Sequence, residues 1–360
     1  MRYLAVDTAK KISKIGLGTW QFGSEEWGYG ERYDEQLAHA IVRRALELGI
    51  TLFDTAEIYS SGRSERILGR ALGEDRESAV LATKVWPIAP SASWVKRRAI
   101  ASARRLGVSR LDLYQVHWPS PLARDRTMMH GMRSLQETGL VGEVGVSSYS
   151  LERWRAAENM LRSRVLSNEV AYSLVERSPE QDLIPFAESH GHAIIAFSPL
   201  AQGLLSGKYH GASRPTNRVR ATNPLFHPAG LERTSDLIAV LREVADAHGA
   251  TPAQVALAWV IRSPAVAAIP GASGVEQLES NVAAAEIELT DDEHQALSRA
   301  SAEFAPTAVK DVPRHRSRPT IRHDLASLKH LSKGGVLLAQ TARHDRKLKH
   351  IPSGGARNTE

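Results

Sequence analysis

The chain has 360 residues, 42% of them hydrophobic and 24% charged, which is enough apolar material for a sizeable core and too much for a mostly disordered chain. It contains no cysteine, which excludes a disulfide scaffold, a thiolate zinc site, an iron–sulfur cluster and a cysteine nucleophile. The net charge of +6 is unevenly placed: residues 306–360 carry 12 Lys/Arg against 4 Asp/Glu, while the first 305 hold 34 basic and 36 acidic groups, so no basic nucleic-acid face is expected on the body.

In chain order, Met1 to Lys10 carries Arg2, Asp7 and Lys10 where a leader would have an unbroken apolar stretch. The longest apolar run, Val255 to Ile261, is too short to cross a bilayer, so a cytoplasmic location without a membrane partner is expected. Short β-rich runs then alternate with amphipathic stretches. The runs predicted as strands are Lys14–Trp20, Ile50–Asp54, Ala79–Lys84, Leu111–His117, Val141–Ser147, Val165–Val170, Ala193–Ser198 and Ala265–Pro270. A helix is predicted from the cap Asp34 to Gly49, with Leu37, Ile41, Ala45 and Leu48 on one stripe. A second runs from Ser235 to Gly249, and a third opens with Thr251 as cap and Pro252 at its first position. Eight strands alternating with helices predict an α/β protein of the (β/α)₈, or TIM-barrel, class. Leu200 to Arg233, rich in Gly, Pro, Ser, Asn and Arg, is predicted as a long functional loop after strand seven. The expected organisation is one barrel domain over residues 1–305, followed by a basic, loosely ordered tail over 306–360.

Polar or distinctive residues stand at the end of every predicted strand: Thr19 and Trp20, Asp54, Lys84, His117, Ser147 and Ser148, Asn168 and Glu169, Ser198, and Gly271 with Ser273. In a barrel these ends converge on one face, where active sites lie. Asp54, Lys84 and His117 come from three adjacent strands, with Tyr59 just beyond the first of them. A phenol titrates near 10, too weak an acid to protonate an alkoxide quickly at neutral pH, and a neighbouring ammonium lowers that value. Lys84 is expected to do this for Tyr59, with Asp54 holding Lys84 charged and oriented. His117 is expected to donate to a carbonyl oxygen as negative charge develops there. Such a group supplies a proton and an oxyanion site but no nucleophile, so it needs an external hydride source, which points to nicotinamide.

The run Phe53-Asp54-Thr55-Ala56-Glu57-Ile58-Tyr59, followed by Gly62, Ser64-Glu65 and Leu68-Gly69, resembles the most diagnostic segment of the aldo-keto reductases. Lys84 after Val80-Leu81-Ala82-Thr83 and His117 within Gln115-Val116-His117-Trp118-Pro119 resemble the rest of that family's tetrad. The resemblance covers about residues 10–300. It implies a barrel reductase of aldehydes and ketones that draws hydride from NADPH, with NADH possible and Tyr59 as proton donor.

The resemblance also implies cofactor residues. Thr19 and Trp20 match a first-strand contact with the nicotinamide ribose. Ser147 and Ser148 match the segment holding the carboxamide, with Ser148 where many members have Asn. Glu169 stands where many members have Gln and can accept from the amide but not donate to it. Phe197 matches the aromatic that stacks on the ring. The segment Ser198-Pro199-Leu200-Ala201-Gln202-Gly203 through Lys208 resembles the pyrophosphate strap of the long-loop members, including the potassium-channel β subunits, with Arg218 as a second cation. Gly271, Ser273, Gln277 and Asn281 match the site for the adenosine 2′-phosphate and adenine, with Ser273 where many members have Arg and Ser280 where many have an acid. Trp20, Trp27, Trp86 and Trp118, with Tyr59 and His117, predict an aromatic-walled pocket for a small carbonyl compound. No metal is expected, because no strand-one His-x-His is present. The second reading, a nucleotide-binding regulatory subunit with slow or no turnover, follows from the likeness to channel β subunits, and the sequence names no partner protein. The tail has no aromatic residue for stacking on bases and only a thin apolar stripe, so it is expected to be dispensable.

Overall fold

The computed structural model describes residues 1–304, apart from positions 32, 89, 90, 121, 211, 212, 214 and 216; the predicted tail, 306–360, lies outside the described residues. Eight parallel strands follow one another in chain order: β1 (Leu17–Gly18), β2 (Leu52–Asp54), β3 (Val80–Val85), β4 (Leu111–Val116), β5 (Val141–Ser147), β6 (Val165–Ala171), β7 (Ala193–Phe197) and β8 (Val266–Ala268). The sheet closes on itself. Ile15 bridges Ala268 and Gly18 bridges Gly271 in parallel, and Gly16 N donates to Ala268 O at 2.8 Å. The architecture is a (β/α)₈ barrel.

Between the strands run α1 (Glu35–Glu47), α2 (Arg63–Leu72), α3 (Ala92–Leu106), α4 (Asp125–Glu137), α5 (Leu151–Leu161), α6 (Leu183–His190), α7 (Arg218–Ala221), α8 (Pro228–Arg233), α9 (Ser235–Ala247) and α10 (Pro252–Val260), and α11 (Val275–Ala283) and α12 (Asp291–Ala300) follow β8. The caps follow the sequence signals. Asp34 accepts from Leu37 N, and Thr251 and Gln254 close a capping box in front of α10. The α1 stripe differs slightly from expectation: Ala38, Ile41, Val42 and Ala45 are buried, while Leu37 and Leu48 lie at its margins.

Two apolar layers form. Outside the sheet, helix faces cover residues such as Phe53, Leu81, Val116, Val144 and Ile194. Inside the barrel, Leu52, Val80, Ala82, Leu113, Leu166, Ile195 and Ala267 fill the lower cross-section. Leu4 and Ile12 join that inner cluster from a short antiparallel pairing, Leu4 N to Ile12 O at 2.8 Å, which plugs the end where the strands begin. Apolar burial thus fills the bottom of the barrel and leaves its polar residues at the opposite end.

Two expectations need correction. The first predicted strand, Lys14–Trp20, is ordered as the two-residue ladder of β1 with single bridges around it, because Thr19 leaves the ladder to bond Asp54 O and Ser64 Oγ. The long loop predicted over Leu200–Arg233 contains helical turns. A 3₁₀ turn at Ala201–Ser206, α7, a second 3₁₀ turn at Pro224–Phe226 and α8 satisfy backbone groups that an open loop would leave to water.

Candidate active site

The strands place the polar residues at their C-terminal ends. Asp54 closes β2, Lys84 is the fifth residue of β3, and His117 follows β4, its N–H donating to Val85 O at 3.1 Å. Tyr59 opens a tight turn after β2 in which Ser60 and Ser61 both take left-handed backbone, at φ 47° and 56°. Strain of this kind in two non-glycine residues requires support. Ser64 supplies part of it: its hydroxyl lies 2.8 Å from Thr19 Oγ1 and 3.0 Å from Thr55 Oγ1, and donates to Thr19 O. Glu65 accepts from Thr83 Oγ1 at 2.7 Å and pairs with Arg105, and Glu57 accepts from Trp86 N at 2.6 Å and pairs with Arg98. The acidic residues of the diagnostic segment therefore brace the turn that carries Tyr59.

Lys84 is the hub. Its fully buried ammonium lies 2.5 Å from Asp54 Oδ2, donates to Thr55 O at 3.1 Å and reaches Tyr59 OH at 3.3 Å. His117 sits edge-to-face against Tyr59, ring centroids 5.6 Å apart. The four residues singled out in the sequence form one group, in which Asp54, Lys84 and His117 are buried and Tyr59 is half-buried.

Its electrostatics differ in one respect from expectation. Burial opposes charge on Lys84, but Asp54 and Glu169 outweigh it and hold the amine above its usual range. Burial pushes the Tyr59 phenol up; Lys84 pulls it down as expected, but burial together with Asp54 and Glu169 wins. The expected net lowering of Tyr59 is thus corrected, and the group is a phenol in the free protein. Burial, with Lys84 adding to it, keeps His117 well below its ordinary value, so its imidazole is neutral. Its Nδ1 is buried without a hydrogen-bond partner among the described residues.

Glu169 holds a place that its sequence match does not convey. Its Oε1 lies 3.2 Å from Lys84 Nζ, and its Oε2 accepts from Gln115 Nε2 at 2.7 Å. Ser167 Oγ in turn donates to Gln115 Oε1 at 3.0 Å. Sequence reasoning missed Gln115 and Ser167. The signal was present in the two-residue period of a strand, which puts Gln115 on the face of His117 and Ser167 on that of Glu169.

The other cofactor and pocket matches fall around the same end. Ser147 is buried and Ser148 exposed, with φ 57°. Phe197 is half-buried at the end of β7, and Ser198, Ala201, Gln202 and Gly203 all take positive φ in the turns that follow, where Pro199 is buried and Leu200 half-buried. Lys208 is exposed above the Tyr209 ring, and the Arg218 side chain lies outside the described residues. Ser273 donates through N and Oγ to Gln277 Oε1, at 3.0 and 3.1 Å, so these two are joined to each other. Asn281 is buried and donates to Gly271 O at 3.4 Å. Thr19, buried and bonded to Asp54 O and Ser64, is committed to the scaffold.

Among the tryptophans, Trp20 and Trp27 stand edge-on at 5.1 Å, Trp118 lies against His117 at 4.6 Å, and Trp86 is half-buried. Arg220 lies over the Trp27 ring at 5.0 Å and donates to Gln202 O at 2.8 Å, tying the strap segment to the loop after β1.

Residues 14–302 match the Aldo/keto reductase family, and the chain belongs to that family of oxidoreductases. It is 55% identical over 308 residues to an uncharacterized oxidoreductase of Mycobacterium tuberculosis, covering 86% of this chain and 95% of that protein. A methylglyoxal reductase of Escherichia coli is 34% identical over 293 residues, covering 80% and 91%. An aldo/keto reductase of Klebsiella pneumoniae, solved in complex with NADP and acetate, superposes with a TM-score of 0.68 at 29% identity, over 86% of this chain and 98% of that one.

Proposed function

We propose that the protein reduces small aldehydes and ketones to alcohols with NADPH. The observation that carries the reading is the Asp54–Lys84–Tyr59 chain, a phenol held on an ammonium that a carboxylate orients, with neutral His117 beside it. A reduced nicotinamide supplies the hydride. Tyr59 donates its proton to the carbonyl oxygen, leaving a phenolate that Lys84 stabilises, and solvent returns the proton in the next cycle. Neutral His117 donates a hydrogen bond to the same oxygen while charge builds on it. Asp54 keeps Lys84 charged and aimed.

Three features support the fit of a nicotinamide nucleotide. Ser148, Lys208, Gly271 and Ser273 are exposed around the end that holds the tetrad. The left-handed backbone at Ser198, Ala201 and Gln202 suits a turn whose N–H groups gather around phosphate. The orphaned nitrogens His117 Nδ1 and Trp27 Nε1 are polar atoms that a ligand would satisfy. Asp54 and Trp20, then Ser147, Ser148 and Glu169, then Phe197, Ser198, Pro199, Leu200, Gln202, Gly203, Lys208 and Arg218, and finally Gly271, Ser273, Gln277 and Asn281 are the residues assigned to it, with Thr19 supporting them from the scaffold. NADPH is expected to bind about 1–3 kcal/mol more tightly than NADH, the size of a charge-assisted bond from Ser273 to the 2′-phosphate.

The test is direct titration with NADPH and NADH, followed by turnover on methylglyoxal and simple aldehydes. The reading requires NADPH binding, tighter than NADH, and NADPH consumption with at least one of those carbonyl compounds. Equal dissociation constants remove the NADPH preference, and binding without turnover on any carbonyl favours the regulatory-subunit reading.

A further inference from the structure

The site holds one carboxylate more than the mechanism uses. Asp54 and Glu169 both reach Lys84 Nζ, at 2.5 and 3.2 Å, and all three side chains are almost completely buried. The groups facing Glu169 are the Lys84 ammonium from β3, the Asp54 carboxyl from β2, the Tyr59 phenol, and from β4 the neutral Gln115 amide. His117, also from β4, is neutral. A single ammonium therefore faces two carboxylates, and no other cation in the group balances the second.

This asymmetry has a consequence for the nucleotide, and the inference rests on the reductase reading above. The hydride and the Tyr59 proton go to adjacent atoms of one carbonyl group, so the nicotinamide ring lies beside this cluster. The ring is neutral when reduced and cationic when oxidised. We propose that Glu169 makes the hydride-transfer position electronegative and so favours the oxidised nucleotide over the reduced one. A uniform structural contact stabilises both forms alike, whereas a charge acts only on the form that differs in charge. Glu169 is then a positioning residue that sets the oxidation state the site prefers. With glutamine, the residue many relatives have here, Lys84 would balance Asp54 alone.

The test measures dissociation constants for NADP⁺ and NADPH by direct titration of the full chain at pH 8, in the wild type and in Glu169→Gln. Glutamine keeps the shape and an oxygen acceptor for Gln115. The expected result is a loss of NADP⁺ affinity relative to NADPH on the order of tenfold. Glu169→Asp, which keeps the charge, should retain most of the wild-type ratio. An unchanged ratio in Glu169→Gln, or equal weakening of both nucleotides, overturns the proposal and leaves the reductase reading standing. Failure of the wild type to bind either nucleotide overturns the reading and the proposal with it. If Glu169→Gln does not fold, the wild type carries the test: it should bind NADP⁺ more tightly than NADPH at pH 8, and equal or reversed affinities overturn the proposal.

Discussion

Burial keeps His117 and Tyr59 uncharged, while neighbouring carboxylates keep Lys84 charged against it. A buried histidine beside an ammonium remains an uncharged imidazole, which is the form that can donate to a carbonyl oxygen without adding a second positive charge. The same burial has a stability cost in acid. The folded pKa of His117 is depressed below its ordinary 6.5, so at lower pH the unfolded chain binds a proton that the folded chain refuses. Its contribution is complete above about pH 6.5 and is lost as pH falls from there toward the folded value. His117→Gln should therefore lose less stability than the wild type between pH 7 and pH 5, measured by denaturant unfolding at each pH. Parallel stability curves for the two proteins would contradict this. The Tyr59 phenol shows why residue types alone misled the sequence reading. Lys84 does act in the expected direction, but the sequence does not state how deeply the phenol is buried or that two carboxylates share its ammonium.

Strands and their ends were the most legible elements. Val141–Ser147 matches its predicted span, because an apolar run between polar turns leaves little choice of register. The edges of β1 and β8 were overextended, since a run of apolar residues does not reveal where Thr19 turns from the ladder to a side-chain bond. Helix caps were legible because their chemistry is local, and Thr251→Ala should cost about 1 kcal/mol in unfolding free energy. The inner polar network was hidden, because it depends on register across three strands. Gly145 lies opposite Gln115 and Ser167, and a Cβ there would collide with Ser167 Oγ and meet Gln115 Oε1 at 2.9 Å. Gly145→Ala should lower stability by about 1–3 kcal/mol, read from the denaturant midpoint. Because Gln115 donates to Glu169, it should also disturb nucleotide affinity. An alanine variant as stable as the wild type would show that the strands shift apart easily.

At the scale of the molecule, the barrel separates stability from chemistry. Its lower interior and the plug of Leu4 and Ile12 are apolar, and the titratable cluster lies at the opposite end. A chain ending near Ala305 should fold and keep the proposed reductase activity. If the basic tail instead shapes the pocket, its removal will raise KM for bulky carbonyls and leave NADPH affinity unchanged, and measuring both constants on the shortened chain distinguishes the cases. The central claim is that Tyr59 delivers the proton while other residues bind the nucleotide. It is tested most directly by Tyr59→Phe, with NADPH affinity and the rate of carbonyl reduction measured on the same preparation. The account predicts a fall in kcat on the order of 10²-fold or more with NADPH affinity unchanged. Reduction at the wild-type rate by the phenylalanine variant would contradict it.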